Sequence, residues 1–235
     1  MNIEELTNRL ECELGKDLKA VYLYGSSASA DFDPKVSDYN VMLVVEERNM
    51  TTLNKLANVC KPWIASGNAA PFIFTEKRVL NSLDVFPIEF FDIKRSYKVL
   101  LGEDLIKDLD IQKDNLRHQL ENEFKGKLIH LSAAYLTTSG KPKAVAELMM
   151  ATISSFVALF RGAIWLLTGA EDIPDKKNDV IQKAAEILEI DSKSFEMALK
   201  LKNKEIKFKD IDVFASFDAY IKNIQIVADK IDRVQ

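Results

Sequence analysis

The stretch Val21-Tyr-Leu-Tyr-Gly-Ser-Ser-Ala-Ser-Ala30-Asp-Phe-Asp-Pro-Lys-Val-Ser-Asp-Tyr-Asn40-Val-Met-Leu-Val-Val45 decides the fold of this chain. It holds two short β-rich runs, Ala20–Tyr24 and Tyr39–Val45, and a Gly-Ser pair closes the first. Gly25 lets a ligand approach the main chain closely, and Ser26 offers a hydroxyl where a short helix can begin with free N–H groups. Eleven residues past Ser26, the second run opens as Ser37-Asp38-Tyr39-Asn40. Positions 38 and 40 lie two apart on a strand, so both side chains point to one face. Two oxygen donors beside a phosphate cradle suit Mg²⁺ carrying a nucleoside triphosphate.

Outward from this stretch, strand and helix signals alternate. Ile3–Leu14 has apolar residues at helical spacing and stops at Gly15, a residue suited to a helix C-cap. Thr51–Ala65 is helical in period, and Pro71–Phe74 reads as a third strand. Thr75 is placed to cap a short helix reaching Leu83, and Val85–Ile93 reads as a fourth strand. After about Leu109 the strand signals cease. Helices are expected over Gln112–Thr138, Lys143–Thr168, Lys176–Glu189, Ser192–Leu201 and Asp210–Asp232. The expected class is therefore α+β. A mixed sheet with helices over residues 1–109 is followed by an all-helical bundle over residues 110–235.

Composition narrows the partners. Lys plus Arg number 32 and Asp plus Glu 36, a net charge of −4, so no strong global field draws the protein to nucleic acid or anionic lipid. That balance offers no template channel, which argues against nucleic-acid polymerisation. Hydrophobic residues make up 47% and charged residues 29%, the profile of a soluble globule. Two cysteines, Cys12 and Cys60, make neither a disulfide framework nor a zinc quartet. Met1-Asn-Ile-Glu-Glu-Leu6 lacks the order of a signal peptide, so a reducing cytoplasm is the expected compartment. Val145–Leu167 is long and apolar enough to cross a bilayer, yet it carries Glu147 and Arg161 and has no basic anchor at either end. It reads as the central helix of a bundle, with no membrane partner.

The strand, Gly25-Ser26, a spacer and Ser37-Asp38 on the next strand resemble the nucleotidyltransferase superfamily, whose fold is shared by DNA polymerase β and aminoglycoside nucleotidyltransferases. The resemblance spans roughly residues 18–93. It implies that Gly25, Ser26 and Ser37 bind the triphosphate, and that Asp38, Asn40 and Glu89 hold Mg²⁺ or Mn²⁺, with Asp38 and Glu89 catalytic. Glu89, in Phe86-Pro-Ile-Glu-Phe-Phe-Asp92, maps to the family's third acidic position, with Asp92 as the fallback. The chain departs from the pattern at Asn40, where the family carries its second aspartate. An amide supplies one neutral oxygen, whereas a carboxylate bridges two cations and cancels their charge.

Two functional classes follow. One is an enzyme transferring a nucleoside monophosphate from a triphosphate to a small-molecule hydroxyl, the acceptor lying against the bundle. The other is a weakened or inactive nucleotide-binding or regulatory module, antitoxin-like, pairing with itself as a homodimer or with a partner. The helical half lacks an Arg-x4–6-His ribonuclease signature. Plainer readings stand beside these: Gly25-Ser26 as an ordinary turn, Asp38 as a turn residue opening a strand, and Glu89 in a salt bridge. Arg161 is expected to pair with a carboxylate while its stem packs in the bundle, the alternative being a grip on a phosphate or acidic substrate across the interdomain cleft. Glu147 is either its partner or a general base. His118 and His130 have no metal-ligand spacing, and Lys200–Lys209 reads as a solvated basic helix end.

Overall fold

Leu18–Tyr24 forms β1, one of the two inner strands of a four-stranded sheet completed by β2 (Asn40–Val45), β3 (Phe72–Phe74) and β4 (Tyr97–Gly102) in the order β3-β2-β1-β4. The structure is a computed structural model that describes residues 1–28, 39–169 and 173–234, with the backbone alone of Ser26 and Ser27. These residues divide into two compact units, Met1–Gln112 and Lys113–Gln235.

In the first unit, β1 runs antiparallel to both neighbours, pairing Tyr24 with Asn40 on one side and with Tyr97 on the other. β2 and β3 are parallel, with Met42 opposite Phe72 and Val44 opposite Phe74. The period of two divides the side chains between two faces. Val21, Leu23, Val41 and Leu43 form one core with Leu6 and Leu10 of α1 (Ile3–Leu14) and with Leu56 and Trp63 of α2 (Met50–Ala65). Both helices start where side chains supply caps. Asn2 accepts from the Glu5 N–H at 2.8 Å, and Asn49 accepts from the Thr52 N–H at 3.0 Å.

The opposite face presents Tyr22, Tyr24, Asn40, Met42, Phe72 and Phe74. It is covered by α4 (Pro87–Arg95), whose Phe90 ring lies 5.7 Å from that of Phe74. The sequence reading of Val85–Ile93 as a strand is corrected here. Pro87 sits in the first turn, where its missing N–H costs no hydrogen bond. The buried residues Pro87, Ile88, Phe90, Phe91 and Ile93 recur at three- and four-residue spacing, a helical stripe rather than an alternation. The fourth strand is β4, just beyond. Thr75 does cap the short helix α3 (Glu76–Leu80), accepting from the Arg78 N–H, but that helix ends at Leu80 rather than Leu83.

The second unit holds α5 (Lys113–Thr137), α6 (Pro142–Thr168), α7 (Lys177–Leu188), α8 (Lys193–Lys202) and α9 (Val213–Asp232). α6 touches the other four. Its Phe156 and Phe160 meet Phe124 of α5, Phe195 of α8 and Tyr220 of α9 at 5.0–6.2 Å between ring centroids, and Phe195 meets Tyr220 at 4.9 Å. Among the described residues α6 is the one helix long and apolar enough to cross a membrane, and half of its most apolar window is buried inside the protein. Gly169, in the left-handed region at φ 67°, caps its end.

Candidate functional site

β1 is followed at once by Gly25, whose φ of 67° lies in the left-handed region and turns the chain into a 3-10 segment, Gly25–Ala28. The turn is fastened to the start of β4. The Gly25 N–H donates to the Ser96 carbonyl at 2.8 Å, and the Ser96 hydroxyl donates back to the Gly25 carbonyl at 3.1 Å. Asn40 opens β2 directly opposite Tyr24, and its amide reaches over the turn. A Cβ on Gly25 would lie 3.4 Å from Asn40 Nδ2. Gly25 and Asn40, two of the residues singled out from sequence, are therefore brought together.

The others are placed differently. Ser37 and Asp38 lie outside the described residues, as does the side chain of Ser26. Glu89 stands in the first turn of α4 and is exposed, while Asp92, one turn on, is half-buried. The expectation of an apolar strand framing Glu89 is overturned, because Ile88 and Phe90 are buried on a helix that turns Glu89 outward. Glu89 lies on the rim of an open cavity of about 570 Å³ beneath α4. Among the described residues no group of three His, Cys, Asp or Glu side chains could hold a metal ion. The described donors, the Asn40 amide and the Glu89 carboxylate, do not by themselves make a divalent-cation site.

Several features of this face are not apparent from sequence. The Tyr24 ring stacks on Phe72 at 6.1 Å, and burial pushes its phenol up to about 12, so it stays protonated at neutral pH. Phe72, Phe74, Phe86 and Phe90 line the cavity, and Arg48 stands at its edge. The signal for β4 was available: Tyr97-Lys-Val-Leu-Leu101 is a β-rich run bounded by Ser96 and Gly102.

Arg161 donates from Nη2 to the Asp175 main-chain carbonyl at 2.9 Å. Glu147 lies 3.8 Å from Lys143, one turn away on an exposed face. The basic run Lys200–Lys209 is mostly solvent-exposed.

This architecture, a mixed four-stranded sheet with helices followed by a helical region, is a nucleotidyltransferase-like fold. Among solved structures the chain is similar to spectinomycin adenyltransferase AAD(9) from Enterococcus faecialis, determined with ATP and spectinomycin. The match covers 95% of this chain and 100% of that one, with 17% identity and a TM-score of 0.57. At that identity the likeness carries the fold and not the roles of residues. No protein-family model and no curated protein matches the sequence.

Proposed function

We propose that this protein is a nucleotidyltransferase that moves a nucleoside monophosphate from a triphosphate to a hydroxyl of a small-molecule acceptor. The observation that carries the reading is the meeting of Gly25 and Asn40 at the end of β1, on the sheet face that α4 and Glu89 overlie. A positive-φ glycine leading into a tight turn leaves its main chain open to phosphate oxygens, with Ser26 and Ser37 nearby in sequence. The triphosphate would arrive with Mg²⁺ or Mn²⁺, for which Asp38 and Asn40 are the candidate holders. The ion would neutralise phosphate charge.

In the transfer, the acceptor oxygen bonds to the α-phosphorus. The bond from that phosphorus to the bridging oxygen breaks, its electron pair leaves on pyrophosphate, and the hydroxyl proton passes to a carboxylate. Glu89, exposed on a helix at the cavity rim, is the candidate to take that proton. The likeness in fold to an adenyltransferase solved with ATP and an acceptor supports this reading.

Asn40 favours a second reading, a nucleotide-binding regulatory module without turnover, because one carboxylate charge is missing. The two separate on one substitution. Calorimetric titration of Mg²⁺ and ATP into wild type and Asn40→Asp should show tighter binding to the variant if the site is catalytic. Weaker binding, from charge repulsion, favours the module. No binding to either protein overturns both readings.

A further inference from the structure

The cavity under α4 has a lining that points to the chemistry of the acceptor. Phe72, Phe74, Phe86 and Phe90 supply four aromatic rings, while the charged groups among its lining residues are Glu89 and Arg48. Phe72 and Phe86 are 51% and 47% exposed, so the aromatic surface is open to a ligand rather than consumed by the core. The Phe72 ring stacks on Tyr24, whose chain neighbour is Gly25, so the aromatic lining runs up to the turn where the triphosphate is proposed to bind. Asn40 shares that sheet face by the register of β1 and β2.

Such a lining selects its occupant. Aromatic walls with one or two placed polar groups favour a flat apolar body, which stacks or meets the ring edges. A polyamine sugar would need a carboxylate or carbonyl for each ammonium group. Among the described lining residues there is one carboxylate, Glu89, and the guanidinium of Arg48 shares the lining with it. Arg48 is exposed and makes no ion pair among the described residues, so it is available to an anionic group.

We infer that the acceptor bound here is a flat aromatic alcohol carrying one negative charge, its ring among the phenylalanines, its hydroxyl toward Glu89 and its anion toward Arg48. The inference deepens the nucleotidyl-transfer reading and rests on it. Transfer would form the bond between that hydroxyl oxygen and the α-phosphorus, expel pyrophosphate and hand the proton to Glu89.

The test uses the full chain and a fluorescent probe of this chemistry, hydroxynaphthalenesulfonate, titrated first without nucleotide or metal. Saturable binding at one site is expected. Arg48→Glu and Phe86→Ala, both at exposed positions, should each weaken it by about tenfold or more with circular dichroism unchanged. ATP should bind alongside the probe, and spectinomycin should not displace it. Absent binding, equal affinity in both variants, displacement by spectinomycin or displacement by ATP each overturns the inference. ATP binding measured alone keeps the two readings apart. ATP bound without the probe leaves nucleotidyl transfer standing and removes this acceptor. The probe bound without ATP removes the transfer reading and the acceptor role with it.

Discussion

The amide of Asn40 stands against the main chain of Gly25, so close that a Cβ at position 25 would lie 3.4 Å from Nδ2. Antiparallel pairing sets the two side by side, because Tyr24 opposite Asn40 leaves Gly25 just beyond the last paired residue. Any side chain at position 25 therefore grows toward Asn40, from a backbone at φ 67° that L-residues adopt at a cost.

Gly25→Val should fold with a loss on the order of 1–2 kcal/mol from the strained backbone. The added methyls would crowd the Asn40 amide and the open turn. Any rise in melting temperature that Mg²⁺ and ATP give the wild type should vanish in this variant. A rise of the same size in both proteins would place the nucleotide elsewhere.

Gly102→Ala should be far more damaging. Gly102 ends β4 at φ 83°, and a Cβ there would come within 1.9 Å of the Lys19 main-chain oxygen, a contact no side-chain motion relieves. A loss of about 3 kcal/mol or more is expected in urea unfolding. A change within about 0.5 kcal/mol, the size of an ordinary surface substitution, would contradict the strand geometry.

Asn223→Ala tests the helical unit. Buried on α9, Asn223 accepts from the Asp191 N–H at 3.2 Å and donates to the Asp191 carbonyl at 3.1 Å. These bonds hold the turn leading into α8, and truncation leaves the Asp191 main-chain groups without them. The expected loss is about 2 kcal/mol, and Asn223→Leu should rescue none of it.

The two thiols should differ sharply. Cys12 is exposed, while Cys60 is buried against the sheet and its thiol is pushed up to about 11 from 9.0. At pH 8 one thiol should react with Ellman's reagent in the native protein, and the second on unfolding. Because the folded form holds the Cys60 proton more tightly, this group stabilises the protein fully below pH 9 and loses that contribution as pH rises toward 11. Stability measured across that range should fall less steeply in Cys60→Ala.

The sequence was most legible where local chemistry and tertiary packing agree. Asn2, Thr75 and Gly169 mark helix ends by capping, and Val41–Val45 is apolar enough to be a strand in any context. It misled at Val85–Ile93, where aromatic and β-branched residues carry strand propensity. There Pro87 and the three-residue spacing of Ile88 and Phe91 settle on helix, because that stripe covers the sheet face. The same helix moves Glu89 from a strand interior to a cavity rim. Gly25 and Asn40 were each legible as site candidates, but their closeness comes from the antiparallel register of β1 and β2, which the sequence did not state. The aromatic cavity was not, since Phe72 and Phe86 meet only through the parallel pairing of β2 and β3 and the placement of α4.

β1 is bordered on both sides, yet the two borders are made at very different moments of synthesis. Its pairing with β2 closes as soon as Val45 has emerged, whereas the pairing of Ala20 with Gly102, 82 residues away along the chain, waits for 57 residues more. Ring closure over that length adds little to the equilibrium cost, since each doubling adds only about 0.6 kcal/mol. In time it is a delay, during which the nascent hairpin presents the unpaired main chain of Ala20, Val21, Tyr22 and Leu23 to its surroundings. A ribosome stalled before Gly102 would therefore hold out an apolar strand edge on which a second nascent chain could assemble.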